Sequence, residues 1–329
     1  MKKFLNNVDT LIPESVAGLV RAHPDLVTAS FEPTFVSRKT PATAKVGLIS
    51  GGGSGHEPLH CGFVGKGMLD AACIGQVFTS PTPDQMIAAA ETVDSGKGIL
   101  FIVKNYAGDS INFQMASEML EIENMLVMVD DDVAVEGSTF SVGRRGVAGT
   151  TIVEKIVGAA AEEGRDLAEC KAIADHVNKQ CASMGVALTS CIVPAAGRPT
   201  FDIAEDEIEM GVGIHGEPGR RREKFKTADA IVSDLLDAIL ADLKPARGAE
   251  VLLHVNGFGA TPLIELYLLF NSAAKILDAR GLTIERSLVG NYTTALEMAG
   301  ASITLCLLDA EMKRLWDAPV HTPALRWGL

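Results

Sequence analysis

Long uncharged apolar runs are missing from this chain of 329 residues. No such run approaches the roughly 20 residues that a bilayer-spanning helix needs, so we expect no transmembrane segment. The opening MKKFLNNVDTLIPESV carries Asn, Asp and Glu where an export signal would need an unbroken apolar stretch. We therefore expect no signal peptide and a protein that stays in the cytoplasm.

Paired cysteines and basic patches are missing as well. The six cysteines form no CxxC pair, which predicts reduced, mostly packed thiols rather than a disulfide framework or a zinc ribbon. The net charge is -13, and no stripe of Lys and Arg is interleaved with aromatic residues, which make up only 5% of the chain. Because nucleic-acid binding depends on releasing counterions from phosphates, we expect no nucleic-acid partner.

Nucleotide and metal motifs are also lacking. Neither G-x-G-x-x-G nor G-x-x-x-x-G-K-[ST] occurs, so the chain is predicted to bind no nucleotide itself. His56-Glu57-Pro58-Leu59-His60 formally matches the H-E-x-x-H zinc pattern, but that pattern requires both histidines on one face of a continuous helix. Proline at position 58 breaks such a helix, so no metal site is predicted here.

The chain does contain apolar runs that alternate with segments of helical periodicity. Strands are predicted at 45–50, 98–104, 125–130, 186–193, 251–255 and 303–308. Helices are predicted at 83–93, 111–122, 151–163 and 261–279. In the last of these, Thr261 is expected to cap the helix, with Leu263 and Leu266 on its inward face. The alternation predicts an α/β fold with largely parallel or mixed sheets.

A change in composition suggests where two domains meet. The stretch VPAAGRPTFD at 193–202 concentrates Pro, Gly and polar residues between regions with regular patterns. The length suits two domains that each bury a core. We therefore predict an N-terminal α/β domain over residues 1–193 and a C-terminal α/β domain over residues 194–329.

A glycine-rich turn is the strongest local feature. A predicted strand runs directly into Gly51-Gly52-Gly53-Ser54-Gly55 and His56. Consecutive glycines let backbone amides approach a ligand, which favours a binding loop, although a plain tight turn remains the alternative. Farther along, Asp130-Asp131-Asp132 follows an apolar run and could meet Mg²⁺. Alternation along an extended chain favours a solvated strand end or a partner contact instead.

Several long segments together resemble the dihydroxyacetone-binding subunit of dihydroxyacetone kinases. They are SGGGSGHEPLHCGFVGKGML, FTSPTPDQM, IVKNYAGDSINF, VDDDVAV, GRRGVAGTTIVEKI, IVPAAGRPTF, MGVGIHGEPG and WDAPVHTPALRWG. The resemblance extends over essentially the whole chain. Each segment is too long and unusual for chance similarity, so the family suggests a function.

The resemblance implies a role for particular residues. In this family the histidine of GIHGEPG, here His215, forms a covalent hemiaminal with the ketone carbon of the substrate. His56 acts as a general base, and Asp109 assists it in removing a proton. The residues that contact or line the substrate are Gly53, Ser54, Gly55, Ser80, Lys104 and Asp109. Without the resemblance, Asp109 and Ser80 would be taken as helix caps and His215 as a turn residue.

The resemblance also implies partners. Some family members continue into a nucleotide-binding domain, whereas this chain ends at Leu329, so a separate nucleotide-bearing kinase subunit is expected. That subunit would hold ADP, recharged by a phosphotransferase-system phosphoprotein, or would exchange ATP, with Mg²⁺ in either case. This chain would bind dihydroxyacetone, carry no cofactor of its own and form a homodimer. A non-catalytic ketose sensor, or a kinase subunit for erythrulose, remains an alternative.

Overall fold

A computed structural model describes residues 2–135, 143–217 and 219–329, and in them the chain forms two six-stranded sheets flanked by helices. The helices are α1 (Leu11–Ala22), α2 (Pro83–Val93), α3 (Ala107–Met119), α4 (Gly149–Glu162), α5 (Leu167–Gln180), α6 (Ala228–Leu243), α7 (Leu263–Arg280) and α8 (Ala310–Asp317). None of these described helices is both long enough and apolar enough to cross a membrane.

The first sheet has the strand order β1-β2-β4-β3-β5-β6. Its strands are β1 (Val27–Phe31), β2 (Thr34–Arg38), β3 (Gly47–Ser54), β4 (Ala71–Val77), β5 (Ile99–Lys104) and β6 (Asn124–Val129). Strands β4, β3, β5 and β6 run parallel, and β1 and β2 add an antiparallel edge. The carboxyl ends of β3, β4 and β5 therefore meet at one edge of the sheet, where α/β proteins commonly bind ligands.

The second sheet has the order β11-β10-β12-β7-β8-β9. Its strands are β7 (Cys181–Ala187), β8 (Glu207–Met210), β9 (Arg221–Lys224), β10 (Glu250–Gly257), β11 (Thr283–Gly290) and β12 (Gly300–Leu307). Only β10 and β11 pair in parallel, and the other pairs are antiparallel. A short hairpin of β13 (Val320–His321) and β14 (Arg326–Trp327) follows. The predicted α/β class with mixed sheets is confirmed.

The helices pack in layers around the two sheets. Helices α2 and α3 cover the outer face of the first sheet, and α6 and α7 cover the outer face of the second. Helices α4 and α5 contact strands of both sheets and share one apolar core with them. The two sheets are thus joined through a common helical layer.

The predicted division into residues 1–193 and 194–329 stays a prediction. Sheet membership changes earlier in the chain, between β6 and β7. Strand β7 precedes residue 193, yet it lies in the second sheet between β12 and β8. The predicted strand at 186–193 is correspondingly too late, because the observed strand ends at Ala187.

Local sequence signals account for some helix ends and fail at others. Helix α2 begins at Pro83, and the Gln85 carboxamide oxygen accepts the Thr82 amide proton, which satisfies a free donor of the first turn. The predicted cap at Thr261 is wrong. Its hydroxyl is buried and exchanges hydrogen bonds with the backbone of Gly300 in β12. Leu263, predicted to face inward, is 51% exposed.

The run Asp130-Asp131-Asp132 is mostly buried, so the interpretation as a solvated strand end is wrong for its last two members. Asp131 accepts hydrogen bonds from the amides of Val147 and Gly149, at 2.8 and 2.7 Å, and from the Ser183 hydroxyl. Only Asp130 is exposed. The Asp131 carboxylate therefore joins the start of α4 to β7, and so ties the middle layer to the second sheet.

Asp131→Ala should strongly destabilise the protein. The substitution leaves two backbone donors buried without their acceptor, and each such group costs about 1–3 kcal/mol, so we expect a loss of about 2 kcal/mol or more. Urea unfolding followed by circular dichroism measures it. The matched control is Asp130→Ala, which removes an exposed carboxylate and should hardly move the midpoint. Equal midpoints for the two variants would contradict this role of Asp131.

Candidate active site

A cavity of about 820 Å³ lies at the edge where β3, β4 and β5 end. Loops of the first sheet form one wall, and the connections around β8 form the other. The lining residues are Gly53, Phe78, Thr79, Ser80, Tyr106, Ala107, Gly108, Asp109, Asn112, Val193, Ala196, Arg198, Pro199, Thr200, His215, Gly216 and Glu217. Segments that are distant in the sequence thus line the same cavity.

The glycine-rich turn is shaped by close packing against the loop after β4. A Cβ atom on Gly53 would lie 2.5 Å from the Thr79 amide nitrogen and 2.8 Å from the Phe78 Cα atom. Gly55 has a φ of 102°, which favours glycine, and a Cβ atom there would lie 2.8 Å from the Phe78 ring. The Ser54 hydroxyl donates to the Gly75 carbonyl at 2.8 Å. Of the turn, only Gly53 reaches the cavity wall.

His56 is held in one tautomer. Its Nδ1 lies 2.7 Å from the Thr294 carbonyl oxygen, which can only accept, so Nδ1 carries the ring proton. Nε2 is then an unprotonated acceptor, and it has no hydrogen-bond partner among the described residues. Burial lowers the pKa of His56 well below its ordinary value, and the neighbouring His215 and Lys104 lower it further. The ring is therefore a neutral base.

His215 is oriented in the same way by Glu217, two residues later. The His215 Nδ1 lies 3.1 Å from Glu217 Oε1, and the His215 amide donates to Oε2 at 3.0 Å. Burial alone would raise the pKa of Glu217, but the hydrogen bond and charge of His215, together with Arg145, lower it to about 2. In the neutral ring, Nδ1–H donates a hydrogen bond to this carboxylate, which leaves the Nε2 lone pair free. Pro218 of the same motif lies outside the described residues.

Aromatic side chains enclose the His215 ring. The ring centroids of Tyr106, His56 and Phe78 lie 4.5, 4.6 and 5.2 Å from it, each nearly edge-on. Phe78 also stacks on His56 at 5.0 Å. The Tyr106 hydroxyl is buried and has no hydrogen-bond partner in the described part of the chain. The His215 imidazole thus has little room to rotate. The Tyr106 hydroxyl beside it is free to form a hydrogen bond with a ligand.

Asp109 and Ser80 stand on the opposite wall of the cavity. Asp109 lies in the first turn of α3, whose N-cap residue is Tyr106, so the alternative of an N-cap aspartate does not fit. Its Oδ2 atom lies 3.5 Å from Lys104 Nζ. Oδ1 is buried and finds no partner within residues 2–135, 143–217 and 219–329. Asp109 therefore offers one free acceptor atom on the side opposite to His215.

Lys104 is not on the cavity wall. Its side chain is fully buried behind Asp109, where Nζ lies 2.9 Å from His60 Nε2 and 3.3 Å from the Gly51 carbonyl oxygen. The family resemblance implied a direct contact between Lys104 and substrate, and that contact stays a prediction. In this structure the amine faces another histidine, His60.

Sequence reasoning assigned no role to Glu217, Tyr106 or Phe78. All three lie in segments that carry the family resemblance, but their types did not single them out. The position of Glu217 two residues after His215 was an available clue, because an acidic partner commonly fixes the tautomer of a reactive histidine. The positions of Tyr106 and Phe78 depend on how two loops meet, which spacing alone does not reveal.

His56 and His60 face different groups, as expected if Pro58 prevents a helical zinc motif. Residues 56–60 form turns rather than a helix. His60 Nδ1 lies 2.6 Å from Glu154 Oε1, whereas His56 contacts Thr294 and His215. In the described residues, no group of three or more His, Cys, Asp or Glu side chains is placed to hold a metal ion.

Known proteins resemble the chain over its full length. The chain is 47% identical to the dihydroxyacetone-binding subunit DhaK of the PEP-dependent dihydroxyacetone kinase of Escherichia coli (strain K12), over 100% of both chains. It is 48% identical to the corresponding subunit of PTS-dependent dihydroxyacetone kinase 1 of Listeria innocua, over 94% of this chain and 95% of the relative.

A solved structure has the same fold. The dihydroxyacetone kinase operon co-activator Dha-DhaQ superposes with a TM-score of 0.90 at 36% identity, over 94% of this chain and 97% of the other. In addition, the family model described as the Dak1 domain matches residues 17–324. With this match and these identities, the chain belongs to the Dak1 family.

Proposed function

We propose that this chain is the dihydroxyacetone-binding subunit of a dihydroxyacetone kinase, which captures the ketose on His215 while a separate subunit supplies the phosphoryl group. One observation carries the proposal. The His215 ring lines the cavity with its Nδ1 facing Glu217, so the Nε2 lone pair is available to a carbonyl carbon. The names of relatives similar over the whole chain support the same substrate.

The capture step forms a bond between Nε2 of His215 and C2 of the ketose. The π electrons of the carbonyl pass to its oxygen, which becomes an alkoxide and takes up a proton. The imidazole, positively charged after addition, gives up its Nδ1 proton toward Glu217, and the alkoxide gains one proton in exchange, so that Glu217 ends the step as a carboxylate. The product is a neutral hemiaminal. Glycerol has no carbonyl for this reaction, so covalent capture distinguishes two ligands with similar hydroxyl groups.

Capture also positions the hydroxyl that is to be phosphorylated. A ketose tethered at C2 cannot rotate away, which reduces the entropic part of the barrier to transfer. His56 Nε2 and Asp109 Oδ1 are both buried acceptors; Asp109 lines the cavity, and the His56 ring packs against His215, which also lines it. We assign His56 as the general base and Asp109 as its assistant, since both can take a proton from the hydroxyl as the phosphorus–oxygen bond forms.

The phosphoryl donor belongs to the partner in this proposal. A nucleotide-bearing subunit would present its phosphoryl group at the cavity, with Mg²⁺ offsetting the charge of the phosphates. The PEP- and PTS-dependent names of the two relatives favour a partner whose ADP is recharged by a phosphotransferase-system phosphoprotein over one that exchanges ATP. Cytoplasmic location and a homodimer remain parts of the proposal.

A ketose sensor is the second candidate function. The similarity to the operon co-activator favours it, because that protein has the same fold at 36% identity. A sensor needs capture by His215 but no base for phosphoryl transfer. Adding the nucleotide-bearing subunit and measuring dihydroxyacetone phosphate separates the two functions: formation of product supports the kinase subunit, and capture without product supports the sensor. Replacing dihydroxyacetone by erythrulose in the same assay tests the other substrate.

His215→Ala should abolish covalent capture. With dihydroxyacetone labelled by ¹³C at C2, the protein should convert the ketone signal into that of a tetrahedral carbon, and intact-mass measurement should show the adduct. The variant should show neither. His176→Ala, which removes an imidazole half exposed at the surface, is the control and should retain both. An adduct that persists in His215→Ala would refute the assignment of the nucleophile.

His56→Asn should slow phosphoryl transfer while capture continues. Asparagine can still donate to the Thr294 carbonyl but has no basic nitrogen, and loss of a general base commonly lowers kcat by about 10²–10⁴-fold. Steady-state kinetics with the partner subunit gives kcat, and the tetrahedral carbon signal gives capture. Full activity would remove His56 from its assigned role, and loss of capture would show that the variant disturbs His215 instead.

The pH profile should reflect the lowered pKa of His56. Burial is the main cause that disfavours protonation of this ring, with smaller contributions from the neighbouring His215 and Lys104, so it stays a neutral base as the pH falls below its ordinary pKa of about 6.5. At saturating ketose, His215 is already bonded, and kcat reports the later step. The acid limb of kcat should therefore lie well below pH 6.5. A limb at the ordinary value that disappears in His56→Asn would contradict this prediction.

A further inference from the structure

A chain of buried polar side chains leads away from the site behind Asp109. Lys104 Nζ lies 3.5 Å from Asp109 Oδ2 and 2.9 Å from His60 Nε2. On the far side of that ring, His60 Nδ1 lies 2.6 Å from Glu154 Oε1. No member of the chain is more than 4% exposed. The path Asp109–Lys104–His60–Glu154 therefore runs from the cavity wall into the interior.

Stability does not account for this arrangement. Burying ionisable groups costs free energy that apolar side chains of similar size would avoid, even when the groups are paired. Glu154 lies in the middle of α4 and is fully buried, and its second oxygen finds no partner among the residues that the structure describes. An acidic group buried at such a cost suggests a role in the chemistry.

The backbone of β3 leaves room for the buried amine. A Cβ atom on Gly52 would lie 2.3 Å from Lys104 Nζ. Any larger residue at position 52 would push the amine out of its place between His60 and Asp109. In the glycine-rich turn, Gly52 thus leaves space for the Lys104 side chain rather than for a ligand.

Two arrangements of protons fit the distances. In the first, the Lys104 ammonium donates to His60 Nε2, and His60 Nδ1–H donates to the Glu154 carboxylate. The Ser50 hydroxyl donates to the Ile102 carbonyl at 2.7 Å, so its lone pair can also face Nδ1–H at 3.0 Å. In the second arrangement, Nε2 has taken a proton from Lys104 and Nδ1 has passed its own to Glu154.

The conversion is balanced in protons. Lys104 loses one proton, Glu154 gains one, and the imidazole changes tautomer but stays neutral. Burial lowers the pKa of His60 well below its ordinary value, which favours a neutral ring. Burial also raises the pKa of Glu154 well above its ordinary value, so its carboxyl group can hold the proton. The result is an uncharged amine beside Asp109 in place of an ammonium.

We propose that His60 and Glu154 are positioning residues that hold Lys104 beside Asp109 and carry its proton to Glu154 and back. A carboxylate beside a neutral amine accepts a proton more readily than one beside an ammonium. The transfer therefore prepares Asp109 to assist in removing the substrate proton, and the return transfer resets the site. The inference rests on the proposed function, because it concerns the step that follows capture.

The test uses His60→Gln and Glu154→Gln in the full chain with its nucleotide-bearing partner. Glutamine keeps hydrogen-bonding groups at each position but cannot relay a proton. We expect kcat to fall by about tenfold or more. This decrease should be smaller than the decrease caused by losing a general base altogether. The KM for the ketose should stay within about twofold, because ground-state binding is unchanged. The tetrahedral carbon signal of bound dihydroxyacetone should persist in both variants.

The matched control is His254→Gln. His254 is also a fully buried histidine, with Nδ1 bound to the Leu288 carbonyl at 3.0 Å, but it lies in β10 away from the cavity. Its kcat should match that of the parent protein. His60→Ala is compared as well: if His60 only filled space and made hydrogen bonds, Gln would restore activity relative to Ala, whereas a proton carrier predicts that Gln does not.

Two further results would overturn the proposal. One is a kcat close to that of the parent in either glutamine variant. The other is a joint loss of capture, melting temperature and kcat, which would indicate a structural role only. The proposed function fails separately, when the parent protein itself gives no tetrahedral carbon or no product with its partner. The ratio of variant to parent kcat therefore tests the relay, and the parent signal tests capture.

Discussion

The chemistry of this site depends on where two imidazole rings keep their single proton. His56 holds it on Nδ1 against the Thr294 carbonyl, and His215 holds it on Nδ1 against Glu217. Each ring therefore presents an Nε2 lone pair, in positions only 4.6 Å apart between ring centroids. A ring with the other tautomer would present an N–H group, which neither attacks a carbonyl nor accepts a proton.

The fold supplies these constraints from distant parts of the chain. His56 follows β3 of the first sheet, while Thr294 lies in the loop between β11 and β12 of the second. His215 comes from the β8–β9 connection and packs on Tyr106, which precedes α3. The shared layer of α4 and α5 fixes the two sheets relative to each other. Two buried carboxylates also link this helical layer to buried polar groups. Asp131 binds the start of α4, and Glu154 lies within α4.

Sequence reasoning succeeded where a signal is local. Helical periodicity locates α2 at the predicted residues 83–93, and apolar runs locate β3 and β5 to within a few residues. It failed where the partner is far away in the chain, as for Thr261, which binds Gly300 instead of capping a helix. The site residues came from the family resemblance, which names residue types but not their contacts. The placement of Lys104 behind Asp109 depends on His60 and Glu154, and no spacing rule predicts it.

The screened position of Lys104 has a consequence for the kind of adduct that can form. A primary amine that met a ketone could lose water and give an imine, because its nitrogen carries a second hydrogen after addition. The imidazole nitrogen that lines this cavity has no hydrogen to lose, so the adduct proposed for it would stop at the tetrahedral stage. Because the amine lies behind Asp109 and against the backbone of Gly51, the His215 imidazole at the cavity wall is closer to a bound ketone than the amine is, and the adduct proposed for it can revert to the carbonyl.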